Sequence, residues 1–235
     1  NGHKKMFYCF GCHAGGNAAT FLMKYENLSF PEAVRNLADR AGIELPKPDY
    51  SKKDTEEYRK REQILEIYKQ AAIFYARLLK TPKGEPAFRY LKSRQLSDET
   101  IRMFGLGYAP SSSSLYQYLK SRGYSDEVLK ETELFSIRER GVYDYFWNRV
   151  MFPIMDNRSR VIAFGGRVMG EGEPKYLNSR ETTVFEKRRT LFGIHIAVKQ
   201  KGSEWILCEG YMDVIALHQA GFHNAVASLG TALTD

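Results

Sequence analysis

Three groups of residues in this chain have types and spacings that can do chemistry. The first is the acid that closes Trp205-Ile206-Leu207-Cys208-Glu209-Gly210, with Tyr211-Met212-Asp213 behind it. An apolar run ends in a carboxylate and a glycine, a helix opens, and a second apolar run follows at Ala225-Val226-Ala227. That is a β-α-β pattern, and such folds bind ligands at their strand tips. A carboxylate at that tip, Glu209, suits a divalent metal such as Mg²⁺, which can clamp a nucleoside triphosphate and neutralise charge during phosphoryl transfer. Asp213 either joins that site or caps the helix, and both readings are open. One Glu cannot hold two metals, so we expect a full site to need acids beyond residue 235.

The second group is Cys9-Phe10-Gly11-Cys12. Thiolates two residues apart converge on one tetrahedral Zn²⁺, and Gly11 allows the tight turn between them. Structural zinc takes about four ligands. His3 and His13 are nearby, but His13 adjoins Cys12 and would point badly for the same ion. A second ligand pair upstream of Asn1 is the simplest completion, and two free thiols in a loop is the other reading.

The third group is cationic. Arg149 lies in Asn148-Arg149-Val150-Met151-Phe152-Pro153-Ile154, and Arg167 ends Phe164-Gly165-Gly166-Arg167. Lys175 and Asn178 lie in Pro174-Lys175-Tyr176-Leu177-Asn178-Ser179, and Lys187-Arg188-Arg189 follows Phe185. Arg grips phosphate in bidentate fashion and Lys offers a point charge. The glycines before Arg167 would let a backbone approach a phosphodiester. Interleaved aromatics (Phe164, Tyr176, Phe185) suit a single strand, where bases stack and phosphates pair. A solvated charged surface around a sheet explains the same pattern.

These groups need elements to hold them. Residues 6–16 read as a short strand, a knuckle and a glycine turn. One helix follows with Ala18, Phe21, Leu22 and Tyr25 on its apolar face. A second has Ser29 as N-cap, Pro31 in its first turn, a face of Val34, Leu37, Ala38 and Ala41, and a stop at Gly42. The stretch from Pro46 to Lys53 reads as a linker, since two prolines and three lysines in eight residues cannot build a core. A long helix from about Asp54 to Lys80 places Ile64, Ile67, Tyr68, Ala71, Phe74, Tyr75 and Leu78 on one side. Short helices follow at 85–94, 97–103, 115–122 and 126–133. Gly105, Gly107 and Pro110, with the serines from Ser111 to Ser114, mark a loop. Beyond Phe135 the pattern turns to strands, with 150–155 and 161–164 flanking a turn at 156–159. A helix near 194–199 leads into the closing β-α-β.

The resulting expectation is an α+β, multidomain chain. It comprises a partial zinc-binding module with helices (1–46), a linker (47–53), a basic helical plus mixed-sheet subdomain (54–203) and the start of an α/β domain (204–235). At 235 residues the chain has room for one large domain or two small ones. No apolar run reaches the ~20 residues of a membrane span. The net charge of +7 favours a polyanion partner such as nucleic acid. Three cysteines, with Cys208 in an apolar strand, do not make a secreted disulfide framework and fit a reducing cytoplasm better. We expect both ends to be cut, because the chain starts inside one motif and stops inside another.

Taken together these residues resemble the bacterial DnaG-type DNA primases over essentially the whole chain. Tyr8-Cys9-Phe10-Gly11-Cys12 through Gly16, then Phe30-Pro31-Glu32-Ala33-Val34, is similar to the second half of that family's zinc-ribbon domain. The stretch from Asn148 to Gly193 is similar to its RNA-polymerase basic segment, with F-G-G-R, P-K-Y-L-N-S and F-x-K-x-x-x-L-F-G. Glu209-Gly210-Tyr211-Met212-Asp213-Val214 and the run from Ala225 to Leu233 are similar to the first motif of its Toprim domain. The resemblance implies an enzyme, a nucleotidyltransferase, that lays short RNA primers on single-stranded DNA from ribonucleoside triphosphates. It implies Cys9 and Cys12 as zinc ligands, and Arg149, Arg167, Lys175, Asn178, Lys187 and Arg188 along the template and nucleotide groove. It implies catalytic roles for Glu209, Asp213, Lys175 and Lys187, with Glu209 on Mg²⁺ or Mn²⁺. The expected setting is the bacterial cytoplasm at the replication fork, with a replicative helicase as partner through a C-terminal domain and no membrane contact.

The chain departs from the family pattern in places. The C-x-x-H that forms the first zinc pair and the D-x-D of the Toprim domain do not occur. His13 stands where a glycine is common, and Arg180 where a proline is common. With a half-built metal site, residues 1–235 alone are expected to make no primers. Two rivals stay open. Another Toprim enzyme, a topoisomerase or nuclease, shares the strand-tip Glu but cleaves. A zinc-ribbon single-strand binder without chemistry would lack the further aspartates.

Overall fold

The structure, a computed structural model, describes residues 5–26, 28, 30–45, 52–110, 113–139, 141–200 and 204–230. His3, the Ser29 cap, residues 46–51 of the expected linker, Ser111, Ser112 and the run 231–233 lie outside the described residues. The chain divides into two compact units, residues 1–59 and 60–235.

In the first unit β1 (Met6–Tyr8) pairs antiparallel with β2 (Gly15–Asn17), Phe7 opposite Gly16. The glycines expected as a turn are therefore strand. A Cβ on Gly15 would lie 2.9 Å from the Tyr8 ring, so a larger residue there would push that ring aside. α1 (Ala18–Tyr25) is capped by Asn17, whose Oδ1 accepts the Thr20 N–H at 2.9 Å. α2 (Phe30–Ala41) stops at Gly42, whose φ of +65° is left-handed. The small core is Ala19, Leu22, Leu28 and Ala33. The expected α1 face is thus rotated. Leu22 is buried, whereas Phe21 and Tyr25 stack on each other at the surface, 5.3 Å apart.

α3 (Lys52–Leu79) runs across the division at residue 60, and its second-unit part buries Ile64, Ile67, Tyr68, Ala71 and Tyr75 from the stripe its spacing predicts. Around it lie α4 (Glu85–Ser93), α5 (Asp98–Met103), α6 (Ser114–Ser121) and α7 (Asp126–Glu131). Ser97 caps α5 and Ser125 caps α7 through their side chains. β3 (Gly107–Ala109) lies between α5 and α6, and β4 (Phe135–Arg138) and β5 (Gly141–Asp144) form a hairpin. Asp144 reaches from β5 to accept the Leu115 and Tyr116 N–H groups at 2.8 and 3.0 Å, which caps α6 from outside the helix.

β6 (Arg149–Met155), β7 (Val161–Val168) and β8 (Tyr176–Asn178) complete a sheet of order β3-β6-β7-β8. Every pairing in it is antiparallel, where a mixed sheet was expected. The short β6–β7 turn at Asp156–Ser159 permits only antiparallel neighbours. Phe164 of β7 is fully buried, its ring 5.5 Å from Tyr75 and 5.9 Å from Tyr68. The chain closes with α8 (Ile194–Ala197), β9 (Ile206–Cys208), α9 (Tyr211–Gln219) and β10 (Ala225–Ala227). β9 and β10 are parallel, as the β-α-β reading requires. Among the described residues no helix is long and apolar enough to cross a membrane.

One buried group makes this unit acid-sensitive. His195 of α8 is buried against Phe104, and neither ring nitrogen has a hydrogen-bond partner. Burial, aided by Lys199 and His218 and opposed by Asp156, lowers its pKa from 6.5 to about 4. The unfolded chain therefore takes up this proton first. His195 leaves stability unchanged above pH 6.5 and erodes it as pH falls towards 4, by at most about 3 kcal/mol. The stability lost between pH 7 and pH 4.5, read by urea unfolding, should shrink in His195→Leu. Equal losses in the two proteins would contradict this.

Candidate nucleic-acid interface and metal centre

Glu209 follows the last residue of β9, and Gly210 forms the N-cap of α9. Glu209 is exposed, and no hydrogen bond or ion pair is described for it. Asp213 is exposed in the first turn of α9. Gly210 occupies the N-cap position and Asp213 lies inside the helix, so Asp213 is not the N-cap residue. Its carboxylate lies over Gly210, 3.5 Å from where a Cβ would stand, and its charge helps burial raise the Cys208 thiol pKa.

Tyr211 fixes this strand tip. Its ring lies flat against Phe152 at 5.1 Å and edge-on to Phe192 at 4.6 Å. Burial pushes its phenol pKa well up. The hydroxyl donates to Asn178 Oδ1 at 2.6 Å, and Asn178 Nδ2 donates to the Leu229 carbonyl at 3.0 Å. Asn178, expected among the groove residues, thus has its amide committed to joining β8 to the β9-α9-β10 segment. The glycines of Phe164-Gly165-Gly166-Arg167 also have an internal use rather than the expected phosphodiester approach. A Cβ on Gly165 would come within 2.5 Å of the Tyr211 ring, and one on Gly166 within 2.8 Å of Phe146 and 2.9 Å of Arg149 Cδ.

Arg149 corrects a second expectation. It is only 6% exposed, and its Nη1 donates to the Gly166 and Pro174 carbonyls at 3.0 and 2.9 Å. Burial lowers its pKa. Rather than lining the groove, it braces the loop that presents Lys175, because backbone carbonyls left buried without a donor are costly. Arg149→Met should therefore cost about 2 kcal/mol, roughly 5 °C in a circular-dichroism melt. A residue that only contacts phosphate would leave the melt unchanged.

Arg167 is half-buried. Its guanidinium stacks 4.1 Å from the Tyr90 ring centroid and donates to the Val168 carbonyl at 3.1 Å. Lys175 is exposed ahead of β8. Arg149, Arg167, Lys175, Asn178 and the Glu209 strand tip thus form one connected set through β7, β8 and Tyr211. Lys187 and Arg188 sit in a 3₁₀ turn (Lys187–Arg189), half-buried and exposed respectively. No described contact ties them to that set. The Lys187 N–H donates to Glu181 Oε1 at 3.2 Å. Tyr90 and Tyr211 escaped the sequence reading. The one available signal was the position of Tyr211 two residues after Glu209.

In the first unit Cys9 and Cys12 are exposed free thiols. The Cys12 N–H, the Cys12 thiol and the Gly11 N–H hydrogen-bond Cys9 Sγ and lower its pKa. Backbone amides aimed at a thiolate suit a metal knuckle, so the pair fits zinc. His13 has a φ of +55° and its Nδ1 is 2.9 Å from the Tyr8 hydroxyl. Among the described residues no group of three or more His, Cys, Asp and Glu is placed to hold a metal.

A cysteine knuckle followed along the chain by an antiparallel sheet carrying arginines and latched to a closing β-α-β is the order of a primase-type chain. The family described as DNA primase catalytic core, N-terminal domain, matches residues 74–198. The CHC2 zinc finger matches 1–53 and the Toprim domain 203–235. The chain belongs to the DnaG-type DNA primase family, as its motifs led us to expect. It is 45% identical over 238 residues to the DNA primase of Pseudomonas putida, covering 99% of this chain and 36% of that protein. It spans little more than a third of the length of the curated relatives it matches first. A structure of the zinc-binding and RNA polymerase domains of the Aquifex aeolicus primase is 40% identical with a TM-score of 0.67, covering 99% of this chain and 56% of that one. The RNA polymerase domain of Mycobacterium tuberculosis primase DnaG was solved with a double-stranded DNA oligomer bearing a 6-nucleotide overhang. It is 36% identical with a TM-score of 0.71, over 74% of this chain and 56% of that chain.

Proposed function

We propose that this chain is the part of a DNA primase that presents a single-stranded DNA template and ribonucleoside triphosphates to a metal-assisted nucleotidyl transfer centre. The observation that carries this reading is the Tyr211–Asn178–Leu229 link, which locks the Glu209 strand tip to the strand behind Lys175. A strand-tip carboxylate and a cationic edge are then held in one rigid frame, as a reaction between bound phosphates requires.

In this reading Lys175, Lys187 and Arg188 neutralise template and triphosphate oxygens, and Arg167, its plane set by Tyr90, offers a fixed fork to phosphate. Glu209, with Asp213 beside it, holds Mg²⁺ or Mn²⁺, which when bound supplies charge neutralisation at the triphosphate. The 3′-hydroxyl of one nucleotide attacks the α-phosphate of the next and pyrophosphate leaves. Cys9 and Cys12 contribute two thiolates to a zinc site. The product is a short RNA primer. The proposed setting is the bacterial replication fork, in the cytoplasm and alongside a replicative helicase.

Lys175→Ala and Lys187→Ala in the full-length protein should each lower labelled ribonucleotide incorporation by about 100-fold. Exposed Lys175 should do so without moving the melting temperature. Wild-type incorporation in either variant removes that lysine from the site.

A further inference from the structure

Tyr176 lies on β8, an edge strand of the four-stranded sheet, and is 40% exposed. A lone exposed aromatic calls for no explanation, but Tyr176 is not alone. Arg167 stands directly opposite it on β7, and both Arg167 and Arg94 lie near enough to act electrostatically on its hydroxyl. Arg94 and Lys175 are exposed. Behind the ring stand Phe152 at 6.5 Å and Tyr211 at 6.2 Å, both buried. These two rings fill the space into which Tyr176 would otherwise fold. Arg167 is itself immobilised over Tyr90. An aromatic ring whose rotamer freedom is already restricted loses little further entropy when a flat ligand lands on it. Cations flanking such a ring are the arrangement that holds a single strand, bases on rings and phosphates on charges.

We infer that Tyr176 is a base-stacking residue. Its open face takes one unpaired nucleobase of a polynucleotide strand, and Arg94 and Lys175 meet the adjoining phosphates. Tyr90 is a positioning residue that acts through Arg167. The inference rests on reading this surface as a nucleic-acid interface, and it names which side chain reads the base rather than the backbone. Arg94 and Tyr90 both come from the α4 region, so the interface extends beyond the basic motifs onto the helical layer.

The test compares two labelled strands binding to the 235-residue chain by fluorescence anisotropy, an oligodeoxythymidylate and an equal-length strand of abasic sugars. Tyr176→Leu should weaken oligodeoxythymidylate binding about tenfold, leave the abasic strand unaffected and preserve the thermal melt. Tyr176→Phe should restore binding. Tyr90→Leu should weaken binding by a smaller factor, with Tyr90→Phe restoring it. Equal weakening on both strands, no weakening, or failure of Tyr176→Phe to restore would overturn the stacking role. If ATP displaces the strand in the wild type and loses that ability in Tyr176→Leu, the assignment to a polynucleotide is overturned in favour of a free nucleotide. A wild-type chain that binds neither strand removes the interface itself, and the inference with it.

Discussion

Glu209→Ala in the full-length protein is expected to lower primer synthesis by about 1,000-fold while leaving the melting temperature within about a degree of wild type. The two halves of that expectation have separate causes. Glu209 is exposed at the tip of β9, so removing its carboxylate takes nothing from the core. In the proposed site the same carboxylate holds the metal that neutralises charge on the triphosphate, and that interaction is strongest in the transition state. Asp213→Asn should cost less, since Asp213 is placed beside the centre as a second acid. Primer assays and thermal melts on the same preparations check both halves. A modest loss of activity in Glu209→Ala would place the metal on other acids.

Gly165→Ala is expected to be a strongly destabilising small substitution in the second unit. The added methyl would stand 2.5 to 2.6 Å from the Tyr211 ring and hydroxyl. Tyr211 cannot give way, because Phe152 and Phe192 hold two of its sides. Overpacking of this kind costs about 3 kcal/mol, or roughly 8 °C for a domain of this size. It should also break the hydroxyl's bond to Asn178 and so loosen the strand tip. Tyr211→Leu in the Gly165→Ala background should recover part of the stability by vacating the space, a coupling a double-mutant cycle would measure. Additive losses would mean the two residues do not meet. Tyr211→Phe isolates the hydrogen bond. It should keep the ring packing and lower primer synthesis more than it lowers the melt.

Much of this arrangement was legible in the residues. The apolar runs at 206–208 and 225–227 with a helix between them could only be a parallel β-α-β, and they are. The short helices expected at 97–103 and 126–133 are present as Asp98–Met103 and Asp126–Glu131, their starts set by the Ser97 and Ser125 side chains, which satisfy a free first-turn amide. What escaped were roles set by distant partners. β3 was hidden because Gly107 reads as a loop, yet a Cβ there would meet the Tyr75 backbone at 2.6 Å, so the strand packs too closely on α3 for any other residue. Arg149 looked like a phosphate ligand from its type alone. The carbonyl that engages it, on Pro174, is 25 residues further along the chain. Asn178 was likewise taken for a ligand contact, and its partners, Tyr211 and Leu229, lie 33 and 51 residues away. The exposed cations and carboxylates were easier to find, since their chemistry does not depend on what packs behind them.

The most direct test of a cationic edge and a metal-binding carboxylate acting as one polymerising centre is a single gel. The full-length protein is incubated with an end-labelled single-stranded DNA template, differently labelled ribonucleoside triphosphates and Mg²⁺ or Mn²⁺. We predict short oligoribonucleotides that depend on the metal and on Glu209, with the template left intact. Cleavage of the template without ribonucleotide incorporation would contradict the account and place the chemistry with the strand-cutting Toprim enzymes.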